Sequence, residues 1–194
     1  LISSKYAVVS LSKEARKDLN WWKTYFVHLQ GLPFDLVLGK LTRVGGQLFT
    51  DASNWGIGAV WSTHWFSVPC IGVWVQRDIA SKELMAVFVA FLLWGKFYSG
   101  KEILLRVDST HAMGALIRKN DCDSFRMDIV RGICMLCFKF RMYFWVDWVG
   151  TNKNDLADPL SRNQVDLFKK RCRSRNRVID SVSSANIMPL LPGF

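Results

Sequence analysis

Eleven consecutive apolar residues fill positions 84–94. The run is too short to span a bilayer, which takes about 20 residues. It also leaves no polar stripe at helical spacing, so residues 80–96 are expected to form a helix covered on both sides. A helix of that kind needs a layered neighbourhood, with a sheet on one side and further helices on the other.

The flanking segments supply the layers. Residues 47–50 read as a strand. Gly56 and Gly58 permit a tight turn, and residues 57–61 resume as a second strand. Residues 70–75 read as a third, so the three form an antiparallel meander. After the apolar helix come a short strand at 102–107, a helix capped by Ser109 and running to about Arg118, and a helix at 123–140. A strand at 142–149 and a last helix starting near Asn154 complete the pattern. The order β-β-β-α-β-α-α-β-α gives an α/β class: a mixed five-stranded sheet, three strands in the meander and two parallel, with helices on both faces. No internal repeat and no Gly-rich phosphate loop interrupts it.

Ahead of this pattern, residues 11–30 read as an amphipathic helix with Ser12 as N-cap, Gly31 as stop and Pro33 close behind. Leu11, Ala15, Leu19, Trp22 and Phe26 share one face, which needs a partner, either the domain that follows or another domain. Three segments are therefore expected: residues 1–43 as a leading helix and linker, 44–164 as the folded domain, and 165–194 as a basic, mobile tail.

Charge and thiols limit the setting. A net charge of +10 points to a polyanion, nucleic acid above all, against the plainer reading of a merely basic surface. No positively charged segment leads into an apolar stretch, so no signal peptide and no membrane partner are expected. Five cysteines, an odd number, fit reduced thiols in an intracellular setting, cytoplasmic or nuclear. Cys134 and Cys137 form a CxxC without a second ligand pair nearby, and read as core residues rather than a zinc site.

Four acids stand where a fold seldom puts them. Asp51 ends the first strand, Glu83 opens the apolar helix, Asp108 ends the fourth strand, and Asp158 starts the last helix. Singly, each has a plain reading as a turn residue, a first-turn charge or a cap. Jointly, parallel strands would bring Asp51 and Asp108 together, and the crossover helix would bring Glu83 over them. Hard oxygen ligands in that number suit two Mg²⁺ ions, with Mn²⁺ as a substitute. Two ions about 3.5–4 Å apart can activate water and stabilise the leaving oxygen of a phosphodiester.

The segments "FTDASNWGIGAVW", "SKELMAV", "LLRVDST" and "NKNDLADPLSR" resemble, in order, the four motifs of the retroelement ribonuclease H domain. The similarity is greatest to reverse-transcriptase polyproteins of retrotransposons of the tyrosine-recombinase, DIRS-like group. It covers residues 45–163, and "LSKEARKDLNWWKTYF" resembles the connecting helix that follows their polymerase domain. The resemblance implies a ribonuclease H-like fold and hydrolysis of the RNA strand of RNA–DNA hybrids, with an upstream reverse-transcriptase polymerase domain as a further partner. It implies that Asp51 bridges both ions, that Glu83 and Asp108 complete one site, and that Asp158 helps hold the ion that activates water. It also puts Ser53, Asn54, Ser109, Asn154 and Arg162 against the nucleic acid, where a 2′-OH distinguishes RNA from DNA. Relatives carry a His shortly before the last Asp, thought to assist product release. Here Trp148 falls at that place, which implies slower turnover or another route of release. Trp55 and Trp148 are the two tryptophans considered for the substrate groove, and core packing is the expectation for the rest.

Other classes remain beside this one. A non-catalytic nucleic-acid-binding or scaffolding domain derived from a retroelement would keep the fold without the chemistry. A transposase- or integrase-type nuclease would end its acidic set with Glu, and a 3′–5′ exonuclease would lack the "DASNWGIGA" meander.

Overall fold

The computed structural model describes residues 10–28 and 42–179. The expected end of the first helix at residue 30, the Gly31 stop, Pro33 and the tail beyond residue 179 lie outside the described residues.

Five strands form one sheet in the order β3-β2-β1-β4-β5: β1 (Thr42–Ala52), β2 (Gly56–Trp61), β3 (His64–Pro69), β4 (Lys101–Val107) and β5 (Tyr143–Trp148). The β1–β2 and β2–β3 pairs are antiparallel, whereas β1–β4 and β4–β5 are parallel. This is the mixed sheet that the pattern predicts. The helices are α1 (Lys13–His28), α2 (Ile79–Trp94), α3 (Thr110–Arg118), α4 (Ser124–Lys139), α5 (Ala157–Ser161) and α6 (Val165–Ser174). Four have side-chain caps, as Ser12, Asp78, Ser109 and Asp123 accept from the backbone N–H of Ala15, Ser81, Ala112 and Arg126.

Strand alternation divides the core in two. Leu48, Ala59 and Phe66 point to the face covered by α2, behind which α4 packs. Their neighbours Phe49, Val60 and Trp65 point to the opposite face, against Leu156 and Leu160 at α5 and against Phe168 and Cys172 of α6. The apolar run on α2 is buried on both sides, as its composition requires.

Two expectations are corrected. The third strand is His64–Pro69, not residues 70–75. Ser62 takes a left-handed φ of 53°, which closes a tight hairpin directly after β2. Residues Gly72–Gln76 instead form a 3-10 turn whose Ile71, Val73 and Val75 are exposed. Gly72 takes a left-handed φ of 57° and turns the chain out of the ladder after Pro69, so the apolar composition does not continue β3. Second, residues 165–174 are not a mobile tail. They form α6, held by buried Phe168 and Cys172. The apolar face of α1 still carries exposed Leu11, Leu19, Trp22 and Phe26, so the described residues do not fully supply the partner it calls for. The helix meets the body through Lys17 on Asp128 at 3.3 Å and Asp18 on Arg131 Nε at 3.0 Å. Trp21 and Trp22 wall an apolar cavity of about 620 Å³ that also contains Cys134 and Cys137. Burial pushes both thiols up. No helix among the described residues is long and apolar enough to cross a membrane.

Candidate active site

The sheet topology brings the first and third acids together. Phe49 of β1 pairs with Arg106 of the parallel neighbour β4. Two residues farther along each chain lie Asp51 and Asp108, emerging side by side at the carboxyl ends of adjacent strands. Helix α2 crosses β1 and β2 and brings Glu83 in from above. Glu83 is the fifth residue of α2, just past the first turn rather than within it. One carboxylate oxygen from each of Asp51, Glu83 and Asp108 lies within 4.8 Å of the others.

Each carboxylate has local support. The Ala52 backbone N–H donates to Glu83 Oε1 at 3.3 Å. Asn154 Nδ2 donates to Asp51 Oδ1 at 3.2 Å and to the Thr50 carbonyl at 3.0 Å. Thr151 Oγ1 donates to Asp108 Oδ2 at 3.2 Å, and the Trp148 indole N–H donates to the Asp108 carbonyl at 3.0 Å. Trp148, where a His was expected, therefore lies directly against the third acid.

The fourth acid is placed by a glycine. Gly58 pairs with Asp51 across β1–β2. A Cβ on Gly58 would lie 2.5 Å from Leu160 Cβ and 2.6 Å from Ser161 N, so only hydrogen lets α5 settle on this strand. Two sheet hydroxyls then satisfy the end of α5: Ser67 Oγ donates to the Leu160 carbonyl at 2.6 Å and Ser53 Oγ to the Ser161 carbonyl at 2.7 Å. This fixes Asp158 in the first turn of α5. Its carboxylate is outside the three-acid cluster, because Oδ1 accepts from Arg162 Nε at 2.7 Å. It is still near enough for its charge to be felt at Asp51.

The electrostatics show an uncompensated site. Burial pushes Asp51 up to about 7, with Asp108 and Asp158 adding to the effect and Ser161 and Arg162 opposing it. Burial pushes Glu83 up to about 9, with Asp51 and Asp108 adding. Glu83 Oε2 is buried without a hydrogen-bond partner. An orphaned carboxylate oxygen beside two further carboxylates is the arrangement an oxygen-seeking divalent cation would relieve, so the donor set fits such an ion.

The remaining sequence-derived residues separate. Asn54 and Trp55 are exposed on the β1–β2 turn, and Arg162 is exposed beside Asp158. Ser53, Ser109 and Asn154 are committed internally, as a tie to α5, a helix cap and the clamp on Asp51. Thr151 and Ser161 were not anticipated. Their only signal was position, Thr151 just ahead of the fourth motif and Ser161 three residues after its acid. His111 turns away to Asp121, at 2.7 Å.

No protein-family model and no curated protein matches the chain. Among solved structures the chain is similar to LC11-RNase H1, isolated from compost by a metagenomic approach. The TM-score is 0.50 at 20% identity, covering 61% of this chain and 94% of that one. It is also similar to RNase H1 from the halophilic archaeon Halobacterium salinarum, with TM-score 0.49 and 22% identity, covering 62% of this chain and 97% of that one. The mixed sheet and the first of these likenesses give the chain a ribonuclease H-like fold.

Proposed function

We propose that this chain is a ribonuclease H, hydrolysing the RNA strand of RNA–DNA hybrids. The observation that carries the reading is the convergence of Asp51, Glu83 and Asp108 from three separate elements into one buried cluster. Asp51, Glu83 and Asp108 would hold Mg²⁺ or Mn²⁺, and Asp158 would join them for a second ion. Bound there, the ions would supply an activated water and charge stabilisation at the departing oxygen.

The chain's own residues do the positioning. Asn154 and the Ala52 N–H orient two of the carboxylates before any ligand arrives. Arg162 offers its outer guanidinium nitrogens to a phosphate. Asn54 and Trp55, exposed on the turn after Asp51, are placed to meet the hybrid backbone. The four motifs in order support an origin in a retrotransposon reverse transcriptase, or a remnant of one, with a polymerase domain as partner.

A second reading, a non-catalytic hybrid-binding domain, is favoured by the engagement of Asp158 with Arg162. One assay decides between them. Purified chain is incubated with a labelled RNA–DNA hybrid and Mg²⁺ or Mn²⁺. Cleavage of the RNA strand that is lost in Asp51→Asn supports the nuclease. Binding without cleavage, unchanged in Asp51→Asn, overturns it.

A further inference from the structure

The chain's positive charge is concentrated. Residues 162–177 hold seven cations and a single acid, so six of the ten net charges lie in one short stretch. This stretch is folded. Phe168 and Cys172 are buried against Val60, Trp65 and Leu160, and the cations divide around that stripe.

On one side, Arg171 donates to the Asp155 carbonyl and Arg175 pairs with the Asp155 carboxylate. Arg177 donates from Nη2 to the Ser62 carbonyl at 2.9 Å. These three anchor the segment, and Asp155 is three residues before Asp158. On the other side, Lys169 and Arg173 follow Phe168 and Cys172 by one position each, and Lys170 continues outward. Among the described residues these three have no acidic partner. Lys169 and Arg173 are four apart and Lys170 and Arg173 three apart, with Asp166 one turn back on the same side, so this helix surface carries three cations against one acid. An unbalanced cationic face, locked to the loop that carries the fourth acid, has the charge that complements a phosphate backbone.

We infer that α6 is a second nucleic-acid surface, on which Lys169, Lys170 and Arg173 hold backbone phosphates of the hybrid outside the cleavage site and without regard to sequence. The inference rests on the hybrid-nuclease reading for the identity of its ligand. Contacts of this kind supply affinity and register rather than specificity.

The test is equilibrium binding of a labelled RNA–DNA hybrid, longer than one helical turn, by fluorescence anisotropy without divalent ions. It is run across a salt series, with the parent chain and with K169Q/K170Q/R173Q. The substitutions should weaken binding about tenfold or more and flatten the log–log salt slope by about 2–3. All three side chains lie off the buried stripe, so the melting temperature should hold. If the triple variant folds poorly, K170Q/R173Q serves, with a flattening of about 2. Equal affinity and equal slope overturn the inference. So does loss of binding to anionic phospholipid vesicles with hybrid binding intact, which would assign the face to a lipid surface. A parent that binds the hybrid with the expected α6 dependence, yet never cleaves it with Mg²⁺ or Mn²⁺, sinks the nuclease reading and leaves this surface standing.

Discussion

Asn154 and Asp51 are joined by a 3.2 Å hydrogen bond across 103 residues of sequence. A fully buried amide from the loop before the fourth acid therefore fixes the carboxylate of the first. Asn154→Ala would leave the Thr50 carbonyl and one Asp51 oxygen without their donor. The expected cost is about 1–3 kcal/mol in stability, with divalent-ion affinity lower by about 10–100-fold. Chemical denaturation and Mn²⁺ titration followed by electron paramagnetic resonance measure the two effects separately. Unchanged Mn²⁺ affinity would reduce Asn154 to a purely structural role.

The raised Asp51 and Glu83 set the pH dependence of the metal-free domain. Both pKa values are above their unfolded values, so the folded state binds protons more tightly. Their contribution to stability is complete below the unfolded carboxylate range. It is lost as pH rises through about 7 for Asp51 and about 9 for Glu83. The melting temperature in chelator should fall across that window. In Glu83→Gln the upper part of the fall should vanish. A saturating divalent ion should flatten the profile, because it binds the deprotonated forms. A melting temperature that climbs with pH in chelator contradicts this account.

Gly58→Ala tests the placement of Asp158. The new methyl would meet Leu160 Cβ at 2.5 Å and Ser161 N at 2.6 Å, and overpacking of that sort costs about 1–3 kcal/mol. The relief available is for α5 to lift from the sheet, taking Asp158 with it and leaving Glu83 and Asp108 in place. Hybrid cleavage should drop at least about tenfold, while one Mn²⁺ still binds. Full activity at a normal melting temperature would show that α5 has more room than the close approach implies.

Arg162→Ala separates two tasks of one side chain. Removing the guanidinium frees the Asp158 carboxylate and takes away a positive charge felt at Asp51. Mn²⁺ should bind more tightly in the absence of nucleic acid, whereas hybrid binding in chelator should weaken. Weaker Mn²⁺ binding would mean that Arg162 orders the acidic site instead of competing with cations there.

The local text of the chain was enough for the mixed character of the sheet and for the strand ends and helix that carry Asp51, Asp108 and Glu83. Asp51 and Asp108 end apolar strand segments, and Glu83 precedes a helix that must be buried, so simple topology brings them together. The β3 strand was misread because residues 70–75 carry more obvious strand composition than the hairpin beside them. Gly72, at a left-handed φ of 57°, turns the backbone out of the ladder despite that composition. The roles of Ser53 and Asn154 were not legible as positioning roles. Both look like polar turn residues, and only the approach of α5 and its preceding loop to β1 turns them inward.

By itself, then, the sequence determined which segments could be strands or buried helices and which carboxylates stand at strand ends and helix starts. Periodicity and burial are properties of neighbouring residues, and they can be read one stretch at a time. Only the tertiary structure decided that one oxygen from each of three acids lies within 4.8 Å of the others, that Arg162 takes Asp158 aside, and that a basic stretch becomes a packed helix. Those outcomes depend on groups far apart in the chain. Phe168 finds Trp65 with ring centroids 5.2 Å apart, and burying that pair offsets the repulsion that composition alone would assign to seven clustered cations.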